Sequence, residues 1–109
     1  MFALEIIKIS RMIVSNEKEY VLSKQLLKSG TSIGALVREA EHAQSTADFI
    51  SKMSIALKEA NETEYWLLLL RDSHLIGPSQ TIPLLAANNE LISMLVATIK
   101  TTKNKHNLS

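Results

Sequence analysis

The stretch Thr46–Ser73, TADFISKMSIALKEANETEYWLLLLRDS, constrains the fold more than any other part of the chain. Phe49, Met53, Ala56, Ala60, Thr63, Leu67 and Leu70 recur at alternating steps of four and three, the spacing of one face of a helix. Neither Pro nor Gly interrupts the stretch, Ser45 or Thr46 can cap its start, and Asp48 favours the first turn. A helix of this span is about 40 Å long at roughly 1.5 Å per residue. Its last turns, Trp66-Leu67-Leu68-Leu69-Leu70, are apolar on every side, so a single neighbour cannot cover them. Other helices of the chain, another subunit, or both must pack there.

The remaining segments read as partners for this helix. Phe2, Ile6, Ile9 and Ile13 form a stripe opposite Glu5, Lys8 and Arg11, predicting a first helix over about residues 2–15 with a frayed first turn. A second helix is expected over about 17–43, with Leu22, Leu26, Ile33, Val37 and Ala40 on its buried side. Its middle, Ser29-Gly30-Thr31-Ser32-Ile33-Gly34-Ala35, has the composition of a loop, and each glycine costs roughly 1 kcal/mol against Ala in a helix. The apolar phase nevertheless continues from Leu26 through Ile33 to Val37. The segment is therefore read as helix, with Gly30 and Gly34 as points of close packing against another backbone. The long helix is expected over 46–73, closed by Gly77 and Pro78. A fourth, over about 80–102, carries the stripe Ile82, Leu85, Asn89, Ile92, Val96 and Ile99, widened by Leu84, Leu91 and Leu95. Asn88 and Asn89 are candidates for hydrogen bonds within the packing. Residues 104–109 are read as a mobile tail. Short links between four helical segments predict one all-α domain over 1–103, an antiparallel up-down-up-down four-helix bundle.

Two blocks, Tyr20–Ala35 and Ala47–Ile76, carry a family resemblance, through QLLKSGTSIGA and FISKMSIALKEANETEYWLLLLRDSHLI. They resemble the bacterial four-helix bundle proteins encoded by intervening sequences within large-subunit ribosomal RNA genes. The accessory protein of diversity-generating retroelements shares that fold. The resemblance implies continuous helix through the two glycines and a homopentameric ring with a central channel. Through the retroelement relative it also implies nucleic-acid binding by basic surfaces. Glu39, Glu59 and Glu62 match acidic positions of the family pattern. Leu36 and Arg38 depart from it, since relatives usually place Asn and a small residue there.

Composition narrows the function classes. There is no Cys among 109 residues, which removes disulfides, thiol catalysis and Cys-based zinc sites. Twelve Lys and Arg against eleven Asp and Glu give a net charge of +1, so the chain as a whole is not a basic nucleic-acid binder. Glu5, Lys8 and Arg11 interrupt any signal-peptide core. Leu91–Ile99 is too short to span a bilayer. The expectation is a cytoplasmic protein with no membrane partner.

Glu39-x-x-His42 and Glu59-x-x-Glu62 invite a di-metal reading, but carboxylate bundles draw inward-pointing ligands from all four helices, and only Glu5 and Glu90 stand on the first and fourth. No metal, cofactor, catalytic residue or small-molecule substrate is assigned. Glu59 and Glu62 share a surface with Ile55, Trp66 and Leu69 and need partners, for which Arg38, Lys52 or a basic residue of a neighbouring subunit could serve, so Glu39, Glu59 and Glu62 are read as structural ion-pair or interface residues. Trp66, Leu68 and Leu69 are the expected oligomer interface. Lys8, Arg11, Lys18, Lys24, Lys28, Lys100, Lys103 and Lys105 are the candidate nucleic-acid contacts. The leading expectation is a non-enzymatic assembly module, with nucleic-acid binding as the alternative.

Overall fold

Side chains satisfy the backbone where the second and third helices begin. A computed structural model describes residues 1–106 and contains α1 (Phe2–Glu17), α2 (Val21–Glu41), α3 (Thr46–Asp72) and α4 (Pro78–Lys105). Ser45 caps α3 in extended conformation, its Oγ accepting from Asp48 N at 3.0 Å, while Asp48 Oδ2 accepts from Gln44 N at 3.4 Å. α3 ends in a Schellman arrangement built on a non-glycine residue. His74 takes φ 63°, its N–H reaches the Arg71 carbonyl, and the Leu75 N–H reaches the Leu70 carbonyl at 3.1 Å.

The helix bounds correct the sequence reading in three places. α2 starts at Val21, not near Glu17. Lys18 turns left-handed at φ 55° to end α1, and the Glu19 carboxylate accepts from the N–H groups of Val21 and Leu22 at 2.9 and 2.8 Å. α4 starts at Pro78, where the missing N–H costs nothing. It accommodates Pro83 in its second turn, where both Pro83 and Ser79 are exposed. It also continues through Asn104 and Lys105, so that part of the expected tail is helical; the rest, 107–109, lies outside the described residues.

Helices adjacent in sequence pack against each other, and α1 meets α4 in the weakest of the four seams. The diagonal pairs, α1 with α3 and α2 with α4, keep their backbones apart and meet only through core side chains. This is the square cross-section of an antiparallel four-helix bundle, 49 × 21 × 20 Å. One core cluster joins Ile6, Ile9, Ile13, Leu26, Leu67, Leu70, Ile76 and Leu84; a second, towards the other end, joins Ile33, Ala40, Met53, Ala56, Ala60 and Leu95.

α2 runs unbroken through Ser29–Ala35, as expected. The Thr31 hydroxyl bonds back to the Leu27 carbonyl at 2.7 Å, and that of Ser32 to Lys28. The two glycines, however, differ. A Cβ on Gly30 would lie 2.8 and 2.9 Å from Ile6 Cγ2 and Cγ1, and Ile6 is wholly buried. Gly34 is exposed, with nothing within 4 Å of such a Cβ. Of the two, Gly30 alone is a close-packing residue among the described residues.

The face of α4 is also corrected. Its buried residues are Thr81, Leu84, Asn88 and Leu95, one position before the expected stripe. Leu85, Ile92 and Ile99 are half-buried, while Ile82, Asn89 and Val96 are exposed. Buried Asn88 donates to the Ala60 carbonyl at 2.9 Å, beside the small side chains of Ala56 and Ala60 on α3, and this bond fixes the rotation of α4. As a 28-residue helix, α4 is long and apolar enough by length and composition to cross a membrane, unlike the run Leu91–Ile99 alone. Here it serves as a bundle helix.

The glycines give a paired test. Gly30→Ala is expected to lose about 1–3 kcal/mol through overpacking against Ile6, which outweighs the helix-propensity gain. Gly34→Ala is expected to gain up to about 1 kcal/mol, a rise in Tm of about 4–8 °C at most. Equal shifts in thermal melts would contradict the asymmetry. A third variant, His74→Gly, relieves a left-handed residue costing about 1–2 kcal/mol, offset in part by unfolded-chain entropy. It should raise the Tm.

Candidate interaction faces

α3 carries its functional candidates on the side that turns away from the core, next to α2. Thr63 marks the α2-facing side: its hydroxyl is 2.8 Å from the Glu59 carbonyl and 3.0 Å from the Ser29 hydroxyl. Asn88 contacts Ala60 from the α4 side. Beyond Thr63, steps of four and three place Ile55, Glu59, Glu62, Trp66 and Leu69 along the outer edge of the α2–α3 seam. Ile55 and Leu69 are 41% and 37% exposed, whereas Glu59, Glu62 and Trp66 are half-buried.

The expected trio Trp66, Leu68 and Leu69 is therefore not one patch. Trp66 and Leu69 share this strip, but Leu68 lies about 200° around the helix from Trp66 at roughly 100° per residue, on the α4 flank. Trp66 also packs against the first core cluster and meets Tyr65 edge to face, with centroids 4.9 Å apart. It serves the subunit's own fold as well as its surface.

Of the two expected cations, Lys52 reaches an acidic residue and Arg38 does not among the described residues. The Trp66 indole N–H donates to Glu62 Oε1 at 3.3 Å. Glu39 is approached by Lys52 at 3.9 Å, an α2–α3 pair in which Lys52 is one-third exposed and Glu39 more than half. Among the described residues Arg38 forms no ion pair with Glu59 or Glu62. It is exposed and lines an open groove of about 630 Å³ with Ala35, Glu39, His42, Gln44, Asp48 and Lys52. Among the described residues no group of three or more His, Cys, Asp or Glu side chains is placed to hold a metal ion.

The basic residues point outward but do not converge. Lys8, Arg11, Lys18 and Lys24 sit towards the α1–α2 turn, with Lys28 nearer the middle of the bundle. Lys100, Lys103 and Lys105 crowd the last turns of α4, beside the α2–α3 turn at the opposite end, where Thr102 and His106 share a cavity with Ala43 and Ser45. Lys8 is partly engaged by Glu5 at 3.4 Å.

A second exposed strip was assigned to the core by sequence. On α4, Ile82 and Val96 are 62% and 45% exposed, with exposed Asn89 midway between them. The signal was present, since Ile82, Leu85, Asn89, Ile92, Val96 and Ile99 follow steps of three and four. Spacing alone does not say whether such a stripe faces inward or outward.

The family described as 23S rRNA-intervening sequence protein matches residues 1–97. A crystal structure of a Bacteroides thetaiotaomicron protein of unknown function, from the S23 ribosomal protein family, shares 52% identity. It aligns over 91% of this chain and 92% of its own, with a TM-score of 0.89. No curated protein matches.

Arg38→Ala removes no observed pair and is expected to leave stability within about 0.5 kcal/mol of the parent at neutral and acidic pH alike. Trp66→Ala, which empties part of the first core cluster, is expected to cost about 3 kcal/mol or more. Chemical denaturation of both variants checks the ordering.

Proposed function

Because the chain belongs to the 23S rRNA-intervening sequence protein family, we propose that it is a non-enzymatic assembly module of the cytoplasm, a four-helix subunit that closes into a homopentameric ring. The observation carrying this reading is the surplus of apolar surface on α3 and α4. Ile55, Leu69, Ile82 and Val96 remain between 37% and 62% exposed after the subunit has formed its own core. Left in water, such side chains form a sticky patch, at roughly 25 cal/mol per Å² of apolar surface that a contact would bury. Two different exposed strips on one subunit suit a head-to-tail contact, and head-to-tail contacts end only by closing a ring. The count of five is what the family resemblance implies.

Nucleic-acid binding is the second reading, favoured by one local observation. Lys100, Lys103 and Lys105 lie within the last two turns of α4, and a ring would repeat that cluster around one of its ends. Phosphate contacts make affinity fall steeply with salt.

Light scattering behind a sizing column at low micromolar concentration is expected to give a mass near five chains of 12.1 kDa. Leu69→Lys, on a side chain already partly in water, should shift the mass towards monomer without loss of helical signal. A parent protein that elutes as a monomer overturns the ring. For the second reading, affinity for mixed-sequence RNA should fall steeply between low and moderate salt, and Lys100→Glu with Lys103→Glu should flatten that slope. Unchanged weak binding removes it.

A further inference from the structure

We infer that the α4 strip of one subunit docks antiparallel onto the α2–α3 strip of a second copy of this chain, in a single register set by Glu62 against Asn89. The inference rests on the assembly reading above and adds the two surfaces and their alignment. α4 uses two apolar faces. Thr81, Leu84, Asn88 and Leu95 serve the bundle, and the set displaced by one residue runs along the α3–α4 seam, with Leu85, Ile92 and Ile99 half-buried against the subunit's own core and Ile82, Asn89 and Val96 exposed. That second set is a heptad a/d pattern, with Ile, Asn and Val at a and Leu and Ile at d. Only 22% of the most apolar stretch of α4 is buried within the subunit. On α3, the outer strip Ile55, Glu59, Glu62, Trp66 and Leu69 has the same alternating spacing.

Direction follows from closure. In a ring whose axis runs along the bundles, all subunits point the same way, so α3 of one and α4 of the next run in opposite directions. Register follows from polarity. With Glu62 facing Asn89, the exposed residues pair as Ile55 with Val96 and Leu69 with Ile82, and the half-buried Trp66 meets Leu85. Extending the same spacing places Asp48 opposite Lys103, so the charged ends are opposite in sign. The Asn89 amide can donate to the Glu62 carboxylate, whose other known contact is the Trp66 indole. A shift of one heptad in one direction sets Ile55 against Lys103 and Glu62 against Val96. In the other direction it sets Ile55 against Asn89 and carries Leu69 past the start of α4. Both bury a polar group against an apolar one. Glu59 alone faces an apolar residue, Ile92, which is already half-covered by its own bundle, leaving the carboxylate at the rim.

The placement of the strips also suits a small ring. They lie on adjacent sides of a square bundle, on either flank of α3, so the contact directions differ by about 90°. Rings of about four or five subunits close at such angles. A contact about 30 Å long and about 20 Å wide covers roughly 600 Å² per subunit, and each subunit makes two, enough for a stable assembly.

Because the chain contains no cysteine, paired substitutions read the register directly. Ile55→Cys with Val96→Cys, and separately Leu69→Cys with Ile82→Cys, alter exposed positions that leave the subunit core intact. Under mild oxidation both pairs are expected to give intersubunit disulfides, in a ladder ending at the closed ring. The mismatched pairs Ile55→Cys with Ile82→Cys, and Leu69→Cys with Val96→Cys, should give at least tenfold less. If the parent protein is oligomeric but the mismatched pairs cross-link as well or better, the register is overturned while the assembly reading stands. A monomeric parent overturns both, including one that co-sediments with phosphatidylglycerol vesicles through its apolar α4.

Discussion

The hydrogen bond from Asn88 to the Ala60 carbonyl decides how the last helix is used, and much of the molecule's surface follows from it. Ala56 and Ala60 bring α4 close to the middle of α3, and the amide then locks the rotation of α4 at that point. Leaving the buried Asn88 N–H group without an acceptor costs about 1–3 kcal/mol, which the Ala60 carbonyl removes, while Asn88 Oδ1 has no partner among the described residues. Asn88 therefore wins over the stronger-looking stripe of Ile82, Leu85, Ile92 and Val96. That stripe is turned outward, and the subunit carries apolar surface that its own core does not use.

A similar logic of small residues holds the other side of the bundle. Gly30 lets Ile6 of α1 approach the backbone of α2, and Ser23 donates to the Ser10 carbonyl at 2.9 Å across the same pair. Thr63 and Ser29 join α2 to α3 within the core. Three helix pairs thus each have a specific contact that fixes their spacing. The α1–α4 seam is the loosest, and α1, at 16 residues, is the shortest helix. Gly34, Val37, Leu91 and Met94 border an open cavity of about 610 Å³ together with Met1, Phe2 and Ala3 at the start of α1.

How much of this was legible in the sequence depended on whether the signal was periodic or geometric. The span of α3, its Ser45 cap and the continuity of α2 through the glycines all followed from spacing and capping chemistry. The start of α2 did not, because Glu19 caps it from outside the usual position, and Lys18 adopts a conformation that composition does not announce. Gly30 and Gly34 look alike in sequence, and only the placement of Ile6 against Gly30 separates them. The proposed pairing of Arg38 with Glu59 and Glu62 failed for a directional reason. Arg38 leaves α2 towards the groove it shares with His42, whereas Glu59 and Glu62 look outward from α3. Trp66, Leu68 and Leu69 were grouped as neighbours in sequence, but residues two apart on a helix face nearly opposite ways.

The misreading of α4 is informative in itself. A helix with two apolar faces offset by one residue gives a broad, blurred stripe, and the periodicity cannot say which half is core. The polar residues resolve it. Both Asn88 and Asn89 sit within apolar sets, one on each face, and each is a poor choice for an isolated helix surface that needs only solubility. Asn88 has its acceptor inside the subunit. Asn89 is held at the matching position of the outer face, flanked seven residues away on each side by exposed Ile82 and Val96. A polar residue at the centre of an apolar stripe sacrifices some burial for alignment, as a single Asn does at the a position of a coiled coil. On the inner face that alignment is the Ala60 contact. The same arrangement on the outer face is a reason to look for its counterpart on another molecule, and Glu62 offers a carboxylate at the centre of the strip that complements it.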